Sequence, residues 1–136
     1  MAGYSGTPLV KKIGIKPADR VLFAGAPKGF DKEIAPLPDG VKLNGAAKEL
    51  NVALFFTDKR AQLEKELPRL KRQIAQDGMI WIAWPKKASK VPTDITEDVI
   101  RDTALALGLV DVKVCAVNDV WSGLKLVIPV KNRKKV

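Results

Sequence analysis

Two segments of this chain combine residues suited to holding an anion. In the first, Gly25 and Gly29 bracket a short loop that also holds Lys28. Backbone N–H groups in such a loop, with a lysine beside them, can meet an anion where a strand turns into a helix; two glycines also simply allow a tight turn. In the second, Lys86, Lys87 and Lys90 come after Trp84 within seven residues. Lysines so placed can hold a phosphate or carboxylate, and a tryptophan can stack a planar group; the plain alternative is a solvated loop with Trp84 in the core. Asp58 and Asp94 are the acidic candidates, each equally suited to helix starts and turns.

What the chain lacks bounds its chemistry further. It has no histidine and one cysteine, Cys115. Ser-His-Asp and Cys-His catalysis and His-ligated metal are therefore excluded. A thiolate zinc site and an intrachain disulfide need more cysteines. Cys115 sits in an apolar run and reads as a buried, inert thiol. A general base would have to be Asp, Glu, Lys or the lone Tyr4. Cysteine usage and the absence of an apolar targeting stretch in the first fifteen residues lead to the expectation of a cytoplasmic protein with no metal and no membrane contact.

Hydrophobic pattern sets the framework that carries these residues. The 136 residues are 46% hydrophobic and 29% charged, as expected of one globular domain. Thr7, Pro8 and the Leu9/Val10/Ile13 face predict a lead-in helix within residues 1–18, stopped by Gly14. The apolar runs Arg20–Gly25, Val52–Phe56 and Met79–Trp84 predict buried strands, with Val41–Leu43 as a short edge strand. A weak helix falls near Asp31–Ala35 and one helical turn over Ala46–Leu50. Leu63, Leu67, Leu70 and Ile74 form an amphipathic stripe, capped by Thr57, interrupted by Pro68 and ended by Asp77-Gly78. Thr96 caps a helix from Glu97 to Leu107, and Val110–Val117 pairs with Trp121–Ile128 as an antiparallel hairpin.

These elements give an α/β domain over residues 1–130: a three-layer, Rossmann-like sheet, mostly parallel, with one antiparallel C-terminal strand. The expected strand order, by first residue, is Val41, Arg20, Val52, Met79, Trp121, Val110. In such a sheet ligands sit beyond the carboxyl ends of the strands, which places Gly25–Phe30, Thr57–Arg60 and Trp84–Lys90 on one edge.

A strand, a helix and a closing antiparallel hairpin, with the turn Val21-Leu22-Phe23-Ala24-Gly25-Ala26-Pro27-Lys28-Gly29, resemble the class I methyltransferases, the Rossmann-like enzymes that use S-adenosylmethionine. The segments Gly3-Tyr4-Ser5-Gly6-Thr7-Pro8-Leu9, Trp84-Pro85-Lys86-Lys87 and Trp121-Ser122-Gly123-Leu124-Lys125 together resemble a family of small bacterial proteins, a domain of unknown function near that superfamily. The resemblance implies a truncated methyltransferase-like fold and a cofactor corner at Gly25, Pro27, Lys28, Gly29 and Asn44. The chain departs from the enzymes there. Pro27 removes a backbone donor, and the strand ending at Leu43 is followed by Asn44 rather than the acid that binds ribose hydroxyls. Only about eight residues separate Leu43 from Val52, too few for the usual third strand and its helix.

The leading expectation is a degenerate methyltransferase-like domain that binds a ligand or a protein without catalysis and carries no cofactor. Asp58, Trp84, Lys86, Lys87 and Lys90 would then hold a small anionic ligand. One alternative is an S-adenosylmethionine-dependent methyltransferase with an atypical cofactor site. Another is a basic nucleic-acid-associated protein: net charge is +9, and Lys131, Arg133, Lys134 and Lys135 cluster in a basic tail over 131–136. No helix-turn-helix, zinc-finger or RNP-type motif accompanies that tail, so nucleic acid is the lesser partner.

Overall fold

The computed structural model describes residues 7–134, so the Tyr4-Ser5-Gly6 loop and the last two residues of the tail lie outside the described residues. Two long apolar stretches form the centre. β3 (Leu50–Phe56) and β4 (Ile74–Pro85) are apolar almost continuously, because both of their faces are covered. β1 (Arg20–Ala24) pairs parallel with β3, and the two-residue β2 (Lys42–Leu43) pairs parallel with β1 at the sheet margin. On the other side β6 (Trp121–Val127) runs antiparallel to β4, and β5 (Val110–Ala116) closes the sheet antiparallel to β6. The order β2-β1-β3-β4-β6-β5 is the one expected from the sequence.

Strand alternation sends side chains to two cores. On one face, α3 (Arg60–Gln73) and α4 (Glu97–Ala106) bury Leu63, Leu67, Leu70, Ile100 and Ala104 against Ile80, Ile82 and Trp84. On the other, α1 (Leu9–Ile13) and α2 (Phe30–Ile34) cover Val52, Leu54, Phe56 and Trp81. Trp81 and Trp84, three positions apart on one strand, thus belong to opposite cores. The Trp81 indole N–H donates to the Ile13 carbonyl at 2.9 Å and ties α1 to the sheet. Gly123 on β6 leaves room for that ring, since a Cβ there would lie 3.1 Å from it.

Several local expectations are corrected. Ala46–Leu50 forms no helical turn: the chain bends, Glu49 takes φ 53°, and Leu50 already pairs in β3. Those few residues must cross from β2 over β1 to β3, which leaves no length for a helix. Pro8, rather than Thr7, occupies the cap position of α1. Thr57 stops short of capping α3: Lys59 is the cap residue, without a side-chain bond, and the N–H of Arg60 donates to Asp94 Oδ1 from a distant loop. α3 runs through Pro68 as one helix of 14 residues. It ends at Gln73, and Ile74 opens β4, so Asp77-Gly78 is not its stop. Register instead slips there, from Leu50↔Ile74 to Val52↔Met79, a bulge in which a Cβ on Gly78 would meet the Leu50 carbonyl at 2.5 Å.

The Thr96 cap of α4 is as expected, accepting from the Val99 N–H at 3.2 Å. Basic residues near the end are held rather than extended: Arg133 Nε donates to the Ile128 carbonyl and the Lys134 N–H to Gln76 Oε1. Among the described residues no helix is long and apolar enough to cross a membrane.

Candidate functional site

The carboxyl ends of β1, β3 and β4 and the start of β6 share one edge, as the pairs Ala24↔Phe55, Phe56↔Ala83 and Pro85↔Trp121 require. The candidate residues divide between two corners of that edge.

At the β1 corner the turn is set by packing. Gly25 has φ 67°, and a Cβ on it would lie 2.6 Å from the Phe56 carbonyl, so no other residue fits without moving β3. Gly29 has φ 88° and leads into α2, a helix of only five residues, with open space where its Cβ would be. Phe30, 2% exposed, turns inward from that helix. It meets Phe23 at 5.2 Å and Phe56 at 4.8 Å, and Phe56 meets Trp121 at 5.2 Å, every pair edge-to-face. Four rings therefore run along the edge from β1 to β6, each contact adding about 0.5–1.5 kcal/mol beyond its buried area.

Asn44, at φ 54°, uses its side-chain oxygen to accept the Phe23 N–H at 2.8 Å, extending the β1–β2 ladder past the last strand pair. A cavity of about 330 Å³ remains against the rings, lined by Pro27, Lys28, Gly29, Phe30, Glu33 and the Asn118–Trp121 turn. Asn118 Nδ2 donates to Glu33 Oε1 across it at 2.8 Å.

At the β4 corner the chain leaves an open groove of about 630 Å³. Trp84, Pro85, Val91, Pro92 and Ile95 form its apolar wall, and Lys86, Lys87 and Lys90 its rim. A three-residue turn over Lys87–Ser89 fixes the rim, with Lys90 at φ 61° closing it. The Ser89 hydroxyl donates to the Lys86 carbonyl at 2.6 Å, and the Lys86 N–H donates to the Val120 carbonyl at 2.7 Å. Glu97 is the groove's carboxylate, and Arg101 engages it together with Asp98 and Asp111. Bonds from Glu97 first and Asp111 second hold the Arg101 proton even more firmly than usual.

The structure thus brings Trp84, Lys86, Lys87 and Lys90 together and leaves Asp58 outside the groove, where its carbonyl accepts from the Thr93 hydroxyl at 2.7 Å. Cys115 is half-buried, and burial pushes its thiol pKa up against the opposing pull of Lys12 and Lys113. The run of rings was not anticipated from the sequence. The apolar runs of β1 and β3 mark Phe23 and Phe56 as strand residues but carry no sign that α2 and β6 would bring Phe30 and Trp121 to them. The Arg101–Glu97 pair was legible as an i,i+4 spacing, whereas Asp111 joins only through the hairpin.

Residues 46–130 match the model of a protein family of unknown function, DUF3052. No curated protein matches the sequence. Among solved structures the fold is similar to a SAM-dependent methyltransferase from Aquifex aeolicus, with a TM-score of 0.66, 16% identity, and 88% of this chain and 87% of that one covered. It is also similar to a ribosomal protein L11 methylase from Lactobacillus delbrueckii subsp. bulgaricus, with a TM-score of 0.56, 11% identity, and 93% and 76% covered. A TehB-like SAM-dependent methyltransferase from Corynebacterium glutamicum gives a TM-score of 0.56 at 10% identity, with 93% and 90% covered. At these identities the likeness is one of fold. With its truncated, mostly parallel sheet and antiparallel hairpin, the chain has a Rossmann-like, methyltransferase-like fold and belongs to the DUF3052 family.

Proposed function

We propose that this protein is a methyltransferase-like module that works by binding and not by methyl transfer. The observation that carries the reading is the row of rings from Phe23 through Phe30 and Phe56 to Trp121, which narrows the edge beside the β1 turn to a cavity of about 330 Å³, the low end of the small-molecule range of roughly 300–1,000 Å³. Two further features support it. The Asn44 oxygen accepts the Phe23 N–H, which fixes its side chain against β1 and leaves an uncharged amide where a carboxylate would bind ribose, and Pro27 offers the turn no N–H. The open groove beside β4 is the site this reading gives to a small anionic ligand.

Calorimetric titration of the full chain with S-adenosylmethionine and S-adenosylhomocysteine tests it. The expected result is no saturable heat up to millimolar ligand. Micromolar binding of either would overturn the reading in favour of a methyltransferase with an atypical cofactor site, the activity for which several structural neighbours are named.

A further inference from the structure

The β4 groove deepens the binding reading, and rests on it for the view that the chain acts by binding. Among the described residues, Lys86, Lys87 and Lys90 form no ion pair, while the groove's carboxylate, Glu97, is held by Arg101. Three ammonium groups therefore face one opening with no protein counter-charge of their own. Their placement is not that of a loose surface loop. Lys90 takes a left-handed conformation, which costs a non-glycine residue about 1–2 kcal/mol, and the Ser89 hydroxyl bridges the Lys86 carbonyl and the Val91 N–H. Behind the lysines the wall is mainly apolar, with Thr93, Thr96 and Ser122 among its residues, and Val91 stays 38% exposed on it.

A site with cations at its rim and an apolar wall suits a ligand divided the same way. A carboxylate brings one negative charge to three lysines, whereas a phosphoryl chain brings two or three, with oxygens that each accept a charge-assisted bond. The volume, about 630 Å³, lies in the range of small-molecule sites, roughly 300–1,000 Å³. We infer that the groove binds a small phosphorylated molecule with an apolar, aromatic body, of the nucleoside diphosphate class, its phosphates on Lys86, Lys87 and Lys90 and its body against the exposed Val91 and Pro92, beside the rim of Trp84.

The test is calorimetric titration of the full chain at low salt with ADP, pyrophosphate and adenosine. ADP is expected to bind in the micromolar range, with pyrophosphate and adenosine each weaker by roughly tenfold or more because each supplies only half of the contacts. Replacing the three rim lysines together (Lys86→Ala, Lys87→Ala, Lys90→Ala) is expected to weaken ADP by roughly 30-fold or more with an unchanged Tm, since their ammonium groups form no ion pair among the described residues. ADP binding unaffected by that triple change would overturn the inference, as would failure of ADP and the other nucleoside diphosphates to saturate below millimolar. Pyrophosphate as tight as ADP would overturn the aromatic half.

S-adenosylmethionine in the same series separates the two proposals. Its micromolar binding to wild type would sink the non-catalytic reading whatever ADP does. Silence from both ligands would sink the groove inference alone.

Discussion

The two corners of the carboxyl edge are built from similar material and end in opposite states. Beside β1, a glycine turn delivers Phe30 into a row of rings, and the Asn44 side chain bonds back to the Phe23 N–H. Beside β4, a lysine turn keeps its charges at the mouth of a groove, unpaired among the described residues. The difference lies in the segment that leaves each strand. α2 is five residues long, and its first residue turns inward, so the rings narrow the space at the end of β1. The segment after β4 makes a tight turn over Lys87–Ser89, closed by Lys90, and runs on through Pro92 to α4, so its lysines stand at the rim of a groove. One corner contributes to stability and the other presents a surface.

Phe30 is where that contrast is most vulnerable. Phe30→Ala is expected to lower unfolding free energy in urea by about 3–5 kcal/mol, the usual cost of emptying a buried ring. A loss below about 1 kcal/mol would mean that the rings do not close the corner. Gly25→Ala comes next, at about 2–3 kcal/mol, from the positive φ together with the 2.6 Å approach to the Phe56 carbonyl. A substitution at Gly25 therefore reports on folding, whatever a ligand does. Asn44→Ala should cost about 0.5–1 kcal/mol, because water can replace its oxygen on the Phe23 N–H, whereas Asn44→Asp keeps the acceptor and should retain most of that stability. If Asn44→Ala were neutral, its oxygen would be free for another partner. At the opposite corner, the triple lysine-to-alanine change should move stability by no more than about 0.5 kcal/mol. A larger loss would make the β4 rim structural and erase the distinction between the corners.

Much of the architecture was legible because burial imposes a period. Strands buried on both faces must be apolar runs, as in Val52–Phe56 and Met79–Trp84, and Thr96 announces its helix with a cap. The failures came where a local signal competed with a distant constraint. Ala46–Leu50 has helix-forming residues, but the crossing between β2 and β3 is too short to use them. Thr57 is a good cap residue, yet Asp94 reaches the N-terminus of α3 from 34 residues away. Ile74 continues a leucine stripe in sequence and begins a strand in space. The candidate site divides in the same way. Trp84, Lys86, Lys87 and Lys90 are close in sequence and stay together, whereas Asp58 was joined to them only by lying on the same edge.

Composition and spacing were enough to establish that this chain has no histidine chemistry, that its sheet is mostly parallel with a closing hairpin, and that two loops meet one edge. These are consequences of residue type and period, which are properties of a chain segment. Which loop is closed and which is open was settled by tertiary contacts. Whether a phenylalanine fills a corner, an asparagine is already bonded or a lysine lacks a counter-charge depends on neighbours brought from other elements, and those contacts exist only once the sheet is assembled.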